Sequence, residues 1–380
     1  MKIKLKEKPE HIELVKAMGS IDADVSKEAL KVFARLVGPL AKKVIDETDP
    51  ITGLYDRLSV GEYEPRTIPL DDYHNIEDAD YVRVSYAGRP GDLGYNQVVG
   101  SDDVAFSTFV IGSAIAMMKK YLKAGRIAHA EAGIRKLINE VRFKMKRQAI
   151  QPILDGLANA ETNGRKHLIR SNTANQLGLD DFNRLQVMAS RILTSGLGDT
   201  PDGLNKSGII DTMFMSPEMV GEIRSISYQP MNTRGVPDTA ESTALAAPES
   251  IRESVYANGG IPSLYGVDII QLNEMGVGQD FSTIFDALAG SVAYPDAGEE
   301  SGSSSTTAFN GATEEFILGV SRQAPVNGLL QIEIEDAETG SAFNVQPDEF
   351  HVREGKVGFF GSSESGYINV ENRGLFGLIV

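Results

Sequence analysis

The chain has 380 residues, with 53 acidic against 37 basic side chains, a formal net charge of -16 and no cysteine. The missing cysteine excludes disulfides, thiolate nucleophiles and cysteine metal sites, and so acidic a balance speaks against nucleic-acid binding over the whole surface, which needs clustered lysine and arginine. The length predicts two or three domains with substantial cores.

The first twenty residues carry charges every few positions and lack the apolar core of a secretory signal. The longest apolar run, Val104 to Met118, contains Ser107, Thr108, Gly112 and Ser113 and falls short of the ~20 residues that span a bilayer. A soluble intracellular protein with no membrane segment is expected. Ser26 is placed to cap a helix through Ala29, Leu30, Val32, Phe33, Leu36 and Val37, with Gly38 and Pro39 interrupting it. From Glu47 to about Asp80 the chain is rich in carboxylates and turn formers and has little periodicity. It reads as an extended arm.

From Tyr81 the period is two: Val82, Val84 and Tyr86 alternate with Arg83 and Ser85. A tip of Gly88, Arg89, Pro90, Gly91, Asp92, Leu93, Gly94 and Tyr95 precedes a second extended run, Val98 to Ile111, so a long hairpin is predicted. Such ribbons are marginal alone and need a surface to lie on. Arg83, Arg89, Leu93 and Tyr95 are its candidate contact residues.

The stretch from Arg126 to about Leu157 has apolar residues at Ile127, Ala130, Ile134, Leu137, Ile138, Val141, Met145, Ile150, Ile153, Leu154 and Leu157. That spacing is one face of a helix, roughly 45 Å long. Cations crowd the remainder, among them Arg135, Lys136, Arg142, Lys144 and Arg147, while Pro152 predicts a kink or restart in the last turn. Asn159 to Asn175 is polar, and Leu179 to Leu193 reads as a second amphipathic helix. After a loop at Gly196 to Gly208, Ile209 to Met215 reads as a buried strand, and Ser216 with Pro217 as a capped helix start.

Met231 to Ser250 reads as a polar loop, and Ile261 to Ile270 as a turn and strand. Asp296 to Glu315 is the lowest-complexity stretch and reads as a mobile loop. Strands are predicted at Phe316 to Val320, Leu329 to Ile334, Phe350 to Phe360 and Tyr367 to Val380, the last tying the apolar terminus into a sheet.

Catalytic signals are sparse. The five histidines are scattered, and no glycine cluster completes a nucleotide-binding fingerprint. Gly361 to Gly366 lacks the glycine spacing of a nucleophile elbow and reads as a hairpin turn. Asp71, Asp72, Glu77, Asp78 and Asp80 lack the spacing of a calcium loop and read as a solvated acidic arm. No catalytic, cofactor or metal residues are assigned, and an enzyme is not expected.

The order of segments (arm, glycine-tipped hairpin, long helix, mixed central region, returning strands) resembles the major capsid proteins of tailed bacteriophages, whose fold is shared with encapsulin shells. Val104 to Gly125, Ile209 to Ile223, Ser263 to Val267 and Phe350 to Val380 carry the likeness. The resemblance implies an α+β fold with an N-terminal arm (1–75), an extended loop (76–118), a peripheral domain built on a spine helix (119–165 and 346–380) and an axial domain (166–345). It further implies self-assembly into hexamers and pentamers of an icosahedral shell around double-stranded DNA, without sequence-specific binding. A separate scaffolding protein, a portal and a decoration protein are implied partners, and the virion, assembled in the host cytoplasm, the implied location. Relatives that cross-link do so through a lysine in the extended loop; here no lysine lies between Lys43 and Lys119, so the shell is expected to be noncovalent. Inter-subunit contacts are expected from Arg83, Arg89, Leu93 and Tyr95 and from Arg135, Lys136, Arg142, Lys144 and Arg147. An encapsulin-like compartment is the alternative, and an uncharacterised hydrolase a remote one.

Overall fold

The computed structural model describes residues 9–20, 22–62, 64–69, 103–162, 165–173, 175–195, 210–228, 266–295, 307–322, 328–335, 343–348 and 355–380. Its helices are α1 (Pro9–Met18), α2 (Ala23–Thr48), α3 (Lys119–Lys123), α4 (Ile127–Asn159), α5 (Leu179–Ser195), α6 (Pro217–Tyr228) and α7 (Asp280–Ala289). The strands up to the end of the central region are β1 (Asp56–Gly61), β2 (Thr67–Pro69), β3 (Asp103–Ala105), β4 (Phe109–Met118), β5 (Glu161–Thr162), β6 (Arg165–Lys166), β7 (Leu168–Arg170), β8 (Thr212–Met215) and β9 (Asp268–Gln271). There follow β10 (Ala293–Tyr294), β11 (Thr307–Ala308), β12 (Phe316–Val320), β13 (Leu329–Glu335), β14 (Phe343–Asp348), β15 (Lys356–Asn369) and β16 (Leu375–Ile379).

The chain divides into two compact units, the first made of 1–68, 105–150 and 329–368, the second of 69–104, 151–328 and 369–380. In the first, a five-stranded sheet runs β1-β13-β15-β14, with β4 also paired to β15. β15 is long enough to carry β4 along one edge, from Lys356↔Met118 to Ser365↔Phe109, and β14 along the other, from Asp348↔Gly358 to Phe343↔Ser363. One face of this sheet packs on the helices: Met117, Phe343, Val357 and Phe359 join Val15, Leu30, Phe33, Leu122, Ile134, Leu137 and Val141 in one core. Each such burial stabilises by roughly 1.5–3 kcal/mol. A smaller cluster gathers Val60, Ile68, Phe106, Ile332 and Ile334 where β1 lies parallel to β13.

In the second unit the sheet order is β7-β16-β12-β8-β9. The C-terminal strand β16 lies inside it, antiparallel to β12 and parallel to β7. All five of its residues are buried, so the apolar terminus is tied into a sheet as its composition predicts. Helices α5 and α6 supply Phe182, Leu185, Met188, Met219 and Val220 to the core against Ile169, Met213, Met215, Ile317 and Leu378.

Several expectations are corrected. Ser26 is not the cap of α2: Asp22 is, its carboxylate accepting from the Asp24 N–H at 3.2 Å, while the Ser26 hydroxyl donates to the Met18 carbonyl at 2.8 Å. The helix also runs through Gly38 and Pro39 to Thr48, because its buried stripe, Leu30, Phe33, Val37 and Val44, continues past them. Likewise α4 carries Pro152 without ending there. The arm assigned to residues 47–80 contains β1, a full partner of β13. Gly361 to Gly366 is the middle of β15, not a turn, because it is hydrogen-bonded to β4 as far as Ser365 and to β14 as far as Ser363. The polar stretch after Asn159 hides β7, and β14 and α7 were not foreseen. Of the expected loop at 296–315, the part from Thr307 pairs with β10 and buries Phe309. The C-terminal strand joins the sheet of β12 and β8, and β13 the sheet of β15, whereas the sequence grouped them the other way, by their order in the chain.

Ser216 does start α6: its hydroxyl accepts from the Met219 N–H at 3.1 Å and donates to the buried Glu315 carboxylate.

Candidate assembly surfaces

Helix α4 spans 33 residues, about 50 Å at 1.5 Å per residue. Ala130, Ile134, Leu137, Ile138, Val141, Met145, Ile150, Ile153, Leu154 and Leu157 are buried, as their spacing predicts. Arg135, Lys136, Lys144 and Arg147 are exposed and Arg142 is half-buried. They do not form one patch. Residues three and four apart share a helical row, so Arg135 and Arg142 fall on one row with Lys146, and Lys136 and Arg147 on a second. Lys144 flanks the opposite edge. Between Lys136 and Arg147 on their row lie Glu140 and Phe143, the latter 47% exposed, an exposed aromatic of the kind that anchors interfaces.

The second surface is the open face of the first sheet. Along β4 exposure alternates, with Val110, Gly112, Ala114, Ala116 and Met118 outward and Met117 in the core. Val110 is 66% exposed. The outward row is apolar and small, and Phe360 of β15, also exposed, lies over Gly112, where an added Cβ would come within 2.9 Å of the ring. Beside it, Glu364 accepts from Arg66 at 3.0 Å and from the Thr108 hydroxyl at 2.5 Å. Sequence reasoning missed this face, since both alternating sets in FVIGSAIAMM are apolar and the period carries no contrast.

The hairpin candidates Arg83, Arg89, Leu93 and Tyr95, and the acidic residues 71–80, lie outside the described residues. Among the described residues no group of three His, Asp or Glu side chains is placed to hold a metal. His167 is buried, its Nδ1–H shared between the Asn372 and Leu375 carbonyls at 3.1 and 3.0 Å, and its ring stacks on Phe376. Burial pushes its pKa down to about 4, against the two backbone hydrogen bonds, which raise it. No described helix is long and apolar enough to cross a membrane.

No protein-family model matches the chain, and no curated protein does either. Solved structures similar to it include the SrpI encapsulin of Synechococcus elongatus, at 11% identity and TM-score 0.44 over 87% of this chain and 88% of that one. The mature capsid of bacteriophage PhiM1 is similar at 11% identity and TM-score 0.49, covering 86% of each chain. The capsid of Cyanophage P-SCSP1u gives the same identity, TM-score and coverage.

Proposed function

We propose that this chain is a major capsid protein of the tailed-phage type, closing by self-association into an icosahedral shell around double-stranded DNA. The observation that supports it most is the succession of elements. A 33-residue spine with an exposed cationic surface follows a strand whose outward row is apolar, and a mixed sheet threaded by the C-terminal strand follows the spine. On this reading residues 1–75 serve as the arm and 76–118 as the extended loop; the peripheral domain is built on α4, and the axial domain on the central sheet. The contact residues are Arg135, Lys136, Arg142, Lys144 and Arg147 together with Arg83, Arg89, Leu93 and Tyr95. The subunit works without catalysis, with a scaffolding protein, a portal and a decoration protein as partners, and resides in the virion. Obligate interfaces of this sort bury about 2,000 Å² or more, and exposed apolar rows beside cations supply that area without enlarging a core.

Negative-stain microscopy of the expressed protein, alone and with a co-expressed scaffolding candidate, tests the proposal. Closed particles with nuclease-protected DNA are expected in the phage context. Particles holding protein cargo instead would favour the encapsulin alternative, and a lone compact subunit under every condition would defeat both.

A further inference from the structure

One cationic cluster is absorbed neither by the spine nor by the sheet. At the junction of α1, α3 and α4 an open cavity of about 660 Å³ is lined by Ile12, Tyr121, Gly125, Arg126, His129 and alanines of α4. Gly125 makes the corner in the left-handed region, at φ +69°, and there an added Cβ would come within 3.0 Å of Lys16 Cε and 3.2 Å of Ile12 Cγ2. The chain therefore reverses tightly against α1 and brings Lys16 of α1, Lys120 of α3 and Arg126 of the turn before α4 to one rim.

Lys16, Lys120 and Arg126 are all exposed, and among the described residues none is ion-paired with an acidic side chain. The Lys120 ammonium sits 4.9 Å and the Arg126 guanidinium 5.7 Å from the centre of the Tyr121 ring, whose third neighbour is His129 at 4.9 Å. What the cavity offers is an apolar floor with a cationic rim, which fits an acidic peptide carrying an apolar side chain.

The sequence offers such a stretch. Residues 71–80, DDYHNIEDAD, hold five carboxylates, no lysine or arginine, and Tyr73 and Ile76 between them. We propose that the junction of α1, α3 and α4 receives the acidic segment 71–80 of a second copy of this chain. The inference deepens the assembly reading above and rests on it for the presence of neighbouring copies. Single exposed ion pairs are weak; three cations against five carboxylates make a multiple contact that salt screens strongly.

Charge exchange between copies tests it, using the full chain and sedimentation velocity to follow association. One variant carries Lys16→Glu, Lys120→Glu and Arg126→Glu; the other carries Asp71→Lys, Asp72→Lys, Glu77→Lys and Asp78→Lys. All the rim positions are exposed, and circular dichroism checks that each variant is folded. Each variant alone is expected to associate at least tenfold less than the wild type, whereas an equimolar mixture should recover to within about threefold, because each copy then meets a complementary neighbour. Normal association of the rim variant overturns the proposal. So does a mixture that fails to recover, including the case where only the seven changes combined in one chain do so, which would place the contact within a copy. A rim variant that associates normally but encloses less DNA would make the rim a nucleic-acid surface instead and equally overturn it. Wild-type copies that associate in this charge-dependent way without closing shells would defeat the assembly reading and leave this contact standing.

Discussion

His167 is a lone histidine that serves as a structural group, buried with both hydrogen bonds of its Nδ1 inside the fold. Both partners of its Nδ1 are carbonyls, so that nitrogen must carry the proton, and burial holds the pKa down at about 4. Its unfolded value lies near 6.5, so between those limits the unfolded chain binds the proton and the folded one does not. The associated stability is complete above pH ~6.5 and is lost as pH falls through the window to about 4, on the order of 3 kcal/mol in all. Urea midpoints measured from pH 7.5 to 4 should fall over this range, and His167→Gln, less stable at pH 7, should flatten that part of the profile. A slope unchanged by the substitution would assign the acid sensitivity to other groups. Ser216 is the opposite case, a residue whose role could be read locally: Ser-Pro ahead of an apolar run is a capping pattern, and the Met219 N–H does bond to it. Its second bond, to Glu315, joins residues 99 positions apart and has no local signal.

At the scale of elements, long amphipathic helices were the most legible because their burial repeats every three to four residues. All ten of the apolar spine positions from Ala130 to Leu157 are buried. The ends and interruptions were less so, since Pro39 and Pro152 each cost a backbone bond that the packed stripe on either side outweighs. The cations of α4 were legible as cations but not as a surface. The register places Arg135 and Arg142 on one row and Lys136 and Arg147 on another, flanking Phe143, so they can serve two contacts. Replacing Lys136, Lys144 and Arg147 together by glutamate is expected to leave the folded subunit intact, because all three side chains are exposed, and to lower the yield of closed particles at least tenfold. Gradient sedimentation checks it, and unchanged yield would remove α4 from the assembly surface.

For the molecule as a whole, the shell reading makes the glycine-tipped segment 88–95 a contact with a neighbour. Deleting it should give folded, dispersed protein that fails to close particles, as judged by circular dichroism and microscopy together; normal particles would restrict assembly to other surfaces. The same scale explains which strands were misplaced. Gly361 to Gly366 has the composition of a turn, yet partners from residues 109–113 and 343–345 make it the middle of a strand. β1 lies in what reads as an irregular arm because its partner, β13, is more than 250 residues away.

By itself the sequence determined the long amphipathic helices α2, α4 and α5, the capped start of α6, the absence of cysteine chemistry, the burial of the C-terminal strand and the order of segments from which the capsid resemblance was drawn. These rest on local periodicity, capping chemistry and composition, which need no knowledge of neighbours. Only the tertiary structure decided which strands share a sheet, that the outward row of β4 is apolar and uncovered among the described residues, and that Lys16, Lys120 and Arg126 meet at one rim beside Tyr121. Those depend on pairings between distant residues, where backbone hydrogen bonds and burial on a common face override the preference of each short stretch.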